Sequence, residues 1–127
     1  MTLRKDDTRP KSRSLDEWFL NKPLAKALFN QLFSEFGKIG NVSVRPVKTM
    51  IVISTARKGI AYAVPGKTFL HVVIPFTQPY PDNLCFQKIV QVPGTQKQFN
   101  HHLRLLSKED LNAEVKKFLK LAYKEGS

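Results

Sequence analysis

The sequence predicts an α+β domain: N-terminal helices, an antiparallel sheet of five or six strands, and a C-terminal helix packed on the sheet. Three observations carry that reading. Between Leu24 and Phe36 apolar side chains recur every three or four residues, the spacing of one helix face. From Asn41 to Leu106 the period shortens to two, β-branched residues dominate and turn signals recur, as in a run of short strands. After Ser107 helical spacing returns through Leu111, Val115, Phe118, Leu119 and Ala122. At 127 residues with 42% hydrophobic content the chain supports one core, so residues 14–127 are read as a single domain.

Residues 1–13 carry five bases and two acids with few bulky apolar groups, the composition of a flexible basic tail. In SLDE, Ser14 and Glu17 have the spacing of a capping box, each side chain taking the other's backbone N–H, so a short helix is expected through Leu20. Asn21 is placed as the cap of a second helix with Pro23 in its first turn, where a missing N–H costs nothing. Its stripe is Leu24, Leu28, Phe29, Leu32, Phe33 and Phe36, and Gly37 or Gly40 ends it. Strands are expected over 42–45, 47–55, 60–64, 68–76, 84–92 and 98–106. The turns between them are ARKG, PG at 65–66 and PG at 93–94, with 77–83 as a loop. Short turns between consecutive strands imply a mostly antiparallel meander. Ser107 with Asp110 repeats the capping spacing ahead of the last helix, whose C-terminal turns carry Lys116, Lys117, Lys120 and Lys124, where cations suit the helix dipole.

Charge is the loudest compositional signal. Lys and Arg number 21 against 10 Asp and Glu, a net charge of +11. Between Lys38 and Lys108 ten bases face one acid, Asp82. Such a field concentrates polyanions, and nucleic acid or an anionic membrane surface is the natural partner. No apolar run reaches the eighteen or so residues of a membrane span, and the N-terminus lacks the apolar stretch of a signal peptide, so no membrane insertion is expected. With the lone Cys85, which permits no internal disulfide, the expected location is the cytoplasm.

The stretch PGKT at 65–68 matches the tail of a phosphate-binding loop. That loop needs an earlier glycine, where this chain has Ala61, and a following helix, where it has FLHVVIPF. Neither condition is met, and a hairpin turn with positive φ at Gly66 accounts for the tetrapeptide. His101 and His102 are adjacent on a strand, so they face opposite sides of the sheet. No ligand spacing supports a metal, and no cofactor is implied. A metal-free acid–base pair could be built from His71 and one of His101 and His102, with Lys48 or Arg104 holding phosphate; the plainer reading is a histidine hydrogen-bonded at the sheet surface or rim. Cys85 reads as inert packing. His102 and Arg104 share the face that looks away from the helices, and Arg45 and Lys48 bracket Pro46 as the ends of a turn. TFLHVVIPF is apolar on both sides, the mark of a central strand covered twice; the second cover is either the N-terminal helix or another subunit, so a homodimer formed through the sheet is a further option.

The segments VSVRPVKTMIVI, KGIAYAV and NHHLRLLSKEDLNAEVKKFLKLAY resemble the small bacterial domain of unknown function 5655 family, and SLDEWFLNKPLAKALFNQLFSEFG is similar to its leading helices. The resemblance covers about residues 14–125. It implies an α+β domain, with Pro46, Lys48, Thr49, His101, His102 and Arg104 on the family's pattern, and no established activity. The element order is also similar to the MmcQ/YjbR-like group, whose members carry a double-wing DNA-binding motif; that likeness is one of order more than of residues.

The sequence therefore reads as a non-enzymatic binding or accessory module for an anionic partner, nucleic acid first, with Arg45, Lys48, Arg57, Lys58, Lys67 and Arg104 contacting phosphates. The rival readings are a metal-free phosphodiesterase or nuclease-like enzyme using His71, His102 and Lys48, and a protein–protein adaptor that dimerises through its sheet.

Overall fold

The computed structural model of the chain describes residues 14–127; the basic tail expected over 1–13 lies outside them. Helix α1 (Leu15–Trp18) begins with the expected capping box: Ser14 Oγ accepts the Glu17 N–H at 3.1 Å and Glu17 Oε1 accepts the Ser14 N–H at 2.8 Å. It stops two residues short of Leu20. The chain turns through Asn21, whose φ of 59° is left-handed, a conformation asparagine tolerates. Asn21 is therefore a link and not a cap; Lys22 stands at the N-cap of α2 (Pro23–Ile39), with Pro23 at its start as expected.

Helix α2 buries Ala25, Leu28, Phe29, Leu32 and Phe36. Leu24 is 40% exposed, because the stripe is centred one residue later, on Ala25. Gly40 ends the helix: its N–H donates to Phe36 O at 3.1 Å, and a Cβ there would collide with the Tyr123 ring, whereas one at Gly37 would meet nothing.

Six strands follow: β1 (Ser43–Pro46), β2 (Ile51–Ser54), β3 (Gly59–Pro65), β4 (Leu70–Phe76), β5 (Lys88–Gln91) and β6 (Phe99–Leu105). They form one sheet in the order β1-β2-β3-β4-β6-β5, every neighbour antiparallel. The meander holds to β4 and then breaks, since β5 lies on the far side of β6. The cause is packing in 77–87. Tyr80 and Phe86 join Phe76, Phe118 and His101 in an aromatic cluster on the helix side, which draws this segment past β6 before it re-enters the sheet. Residues 84–87, expected as strand, belong to that crossover, and β5 is only four residues long.

Two turns differ from expectation. Val47 N–H donates to Met50 O at 2.8 Å, so residues 47–50 form the turn and Pro46 pairs with Ile51 inside the sheet. At PGKT, Gly66 N–H donates to Phe69 O at 2.9 Å and Pro65 pairs with Leu70. The turn is thus centred on Lys67 and Thr68, and Gly66 lacks positive φ; among the described glycines only Gly94 has it, at 86°. Pro93–Gly94 is the Pro–Gly turn of the expected kind, and Gly66 is small for another reason: a Cβ there would run into the Phe69 ring.

Helix α3 (Ala113–Gly126) closes the fold. Asp110 accepts the N–H groups of Leu106 and Ser107 at 2.7 and 3.1 Å, but this closes a 3-10 turn (Lys108–Asp110). The α-helix itself is capped by Asn112, whose Oδ1 accepts the Val115 N–H at 3.0 Å. Its expected stripe, Leu111, Val115, Phe118, Leu119 and Ala122, is buried throughout. Helices α2 and α3 pack on β3 and β4 from one side. The inward positions Ile51, Ile53, Ala61, Ala63, Leu70, Val72, Ile74, Phe76, Leu103 and Leu105 are accordingly buried. On the other side of the sheet Tyr62, His71, Val73 and His102 are half-buried, Arg45 and Arg104 are exposed, and Val52 is buried. No helix among the described residues is long and apolar enough to cross a membrane.

Candidate functional site

Register places the outward side chains. One row crosses the whole sheet: Arg45 opposite Val52, Val52 opposite Tyr62, Tyr62 opposite Val73, Val73 opposite His102, and His102 opposite Lys88. Beside it, Val64 lies opposite His71 and His71 opposite Arg104. None of the six strands contains Asp or Glu. Among the described residues no carboxylate pairs with Arg45, Lys88 or Arg104, while the ion pairs of Glu35 with Lys38 and Lys116, at 3.1 and 3.9 Å, lie on the helices. The open face is therefore cationic and, among the described residues, lacks a paired carboxylate.

At its centre His71 Nε2 lies 2.9 Å from His102 Nδ1, with ring centroids 5.2 Å apart. Adjacent strands bring the two imidazoles together diagonally, a distance long side chains bridge. One nitrogen donates and the other accepts. His71 Nδ1 is buried without a partner, a deficit worth about 1–3 kcal/mol. Burial, then the cations of Arg104 and Lys88, hold His71 below the ordinary imidazole range; burial, then His71 and Lys88, do the same for His102. The pair is consequently neutral at pH 7.

His101 points the other way, as strand alternation requires. It is fully buried; its Nδ1–H donates to Phe99 O at 2.8 Å and its Nε2 accepts the Tyr80 N–H at 3.2 Å. Both ring nitrogens are satisfied in one tautomer, so His101 is a structural histidine that anchors the crossover. Cys85 packs against the core, and burial, then the Glu114 carboxylate, push its thiol up to about 12; it carries no thiolate at neutral pH. No group of three or more His, Cys, Asp or Glu among the described residues could hold a metal ion.

The six cations expected to meet phosphate are all exposed, but they do not gather in one place. Arg45 and Arg104 stand on the open face, Arg104 with its guanidinium 4.2 Å from the Phe69 ring centroid. Lys48 and Lys67 occupy the turns at one end of the sheet, and Arg57 and Lys58 the turn at the other. Arg57 donates through Nη1 to Ser127 O at 2.8 Å, beside a Thr55 Oγ1–H bond of 2.7 Å to Gly126 O, so it ties down the end of α3. Of the acid–base set His71, His102 and Lys48, the fold brings the two histidines together; Lys48 sits in the β1–β2 turn, with β3 and β4 between it and β6.

Two cations were missed in the sequence. Lys88 directly faces His102, and Lys97 lines a cavity of about 200 Å³ with Lys58, Tyr62, Pro75 and the carboxylate-bearing Glu125. The alternation of β5 contained the first signal, but placing it needs the β5–β6 register, which the seven-residue connection 92–98 hides.

No protein-family model, no curated protein and no solved structure matches this chain.

Proposed function

We propose that the domain is a non-enzymatic module that binds single-stranded nucleic acid across the open face of its sheet. The supporting observation is the carboxylate-free row from Arg45 through Tyr62 and His102 to Lys88, with His71 and Arg104 beside it. Strands about 4.8 Å apart make this row about 24 Å long. Planar Tyr62, His71 and His102 present π faces for bases, and Arg45, Lys88, Arg104 and Lys97 present cations for the backbone, the combination that holds single strands without reading sequence. Duplex recognition needs an element that enters a groove, and a six-stranded open sheet is too broad for one.

The phosphodiesterase reading has less support. An acid and a base must stand on either side of a reacting phosphorus, whereas His71 and His102 are bonded directly to each other and Lys48 is remote. A sheet-to-sheet homodimer would use Val64 and Val90, which are 38% and 43% exposed. A two-fold interface sets each patch against its own copy, which here places like cations together.

Fluorescence anisotropy with labelled oligo-dT, oligo-U and a duplex of equal length tests the proposal across a salt series. Single strands should bind more tightly than duplex, with a log–log salt slope of about −2 to −3, the value for three or four phosphate contacts. Absence of binding at low salt would overturn it.

A further inference from the structure

The His71–His102 contact has a feature that stacking does not explain. An N–H···N bond of 2.9 Å holds one proton on the line between the rings, and His71 Nδ1 is left buried with no partner. If His71 Nε2 donates, Nδ1 is a bare acceptor; if it accepts, Nδ1–H is an idle donor. The first arrangement leaves an open position for a further proton. The groups facing the pair are Arg104 and His102 from β6, Lys88 from β5, and Val64 and Tyr62 from β3; His101 faces the opposite side. No strand supplies a carboxylate. A proton added here finds no counterion in the sheet, so the negative charge that would stabilise it has to come from a ligand.

We propose that His71, His102, Arg104 and Lys88 form a proton-coupled phosphate subsite: a phosphate oxyanion docks at the imidazole pair between the two cations, and the pair takes up one proton from solvent as it binds. No covalent bond to phosphorus forms or breaks; the proton adds to the bare imidazole nitrogen and the oxyanion remains intact. The phosphate belongs either to a nucleic-acid backbone or to free phosphate. The inference deepens the nucleic-acid reading and rests on it for the source of the phosphate alone.

Calorimetry of oligo-dT binding at pH 6.5, in phosphate-free buffers of different ionisation enthalpy, measures proton uptake directly on the wild-type protein. Net proton uptake of up to one per bound oligonucleotide is expected, with affinity rising as the pH falls from 7.5 to 5.5, by at most about tenfold per pH unit. Imidazole NMR signals of His71 and His102 should titrate at higher pH when inorganic phosphate is added, and His102→Asn and Arg104→Gln should each lower the uptake. Salt-dependent oligonucleotide binding with no proton uptake and unmoved ring signals overturns the subsite and leaves the nucleic-acid reading standing. Phosphate-shifted ring signals with no oligonucleotide binding at any pH sustain the subsite and overturn that reading. Neither response overturns both.

Discussion

The Phe69 ring lies between two residues that never meet in sequence logic: it packs against the backbone of Gly66 and carries the Arg104 guanidinium 4.2 Å from its centroid. The glycine of PGKT thus serves the open face indirectly. Gly66→Ala should displace the ring, lowering stability by about 1–3 kcal/mol, and should weaken oligonucleotide binding because Arg104 loses its platform. Phe69→Leu keeps an apolar side chain and removes the π face, worth about 0.5–1 kcal/mol at an exposed site, so binding should fall about two- to fivefold. Denaturant midpoints and anisotropy on the same samples separate the two effects.

Lys88 and Lys48 make a matched comparison. Both are exposed, but Lys88 faces His102 on the open side while Lys48 occupies the turn 47–50. Lys88→Ala should weaken oligo-dT binding several-fold and flatten the salt slope by about 0.7, one phosphate contact on a single strand. Lys48→Ala should stay within about twofold of wild type. Equal losses would move the nucleic-acid path to the turns.

Local rules in the sequence recovered the helices and most strands because those rules operate over a few residues. The Ser14–Glu17 capping box and the Val115–Ala122 stripe are each complete within one element. The position of β5 was not legible, since it depends on Tyr80 and Phe86 finding Phe118, and no local pattern records such a contact. The candidate site divides the same way. Alternation was enough to put His102 and Arg104 together on the face away from His101. The contact between His71 and His102, and the presence of Lys88 beside them, follow from the β4–β6 and β5–β6 registers, which are set by the core and by the long connections between those strands.

Cys85 should be chemically quiet. With its thiol pushed up to about 12 by burial and then by Glu114, the thiolate fraction at pH 8 is about a thousandfold below that of an ordinary cysteine near 8.5. A disulfide reagent should therefore react slowly with the folded protein and at the ordinary rate once denaturant unfolds it. Fast reaction in the native state would show that the 84–87 segment opens readily and that the crossover is loosely held.

All three histidines are held below the ordinary imidazole range, burial being the first cause in each. Between pH 6.5 and those lower folded values the unfolded chain binds more protons than the folded one, so stability must fall as the pH drops through that window. In phosphate-free buffer the denaturant midpoint should thus decline from pH 7.5 to 5.0. His101 contributes because protonating its Nε2 breaks the bond from the Tyr80 N–H, and no anion from solution reaches it in the core. His71 and His102 face outward, and their share should be recovered when phosphate is added at pH 5.5, since an anion at the pair raises their folded values toward the unfolded ones. A midpoint that is flat with pH would contradict the buried neutral histidines; one that declines equally with and without phosphate would place the whole effect on His101.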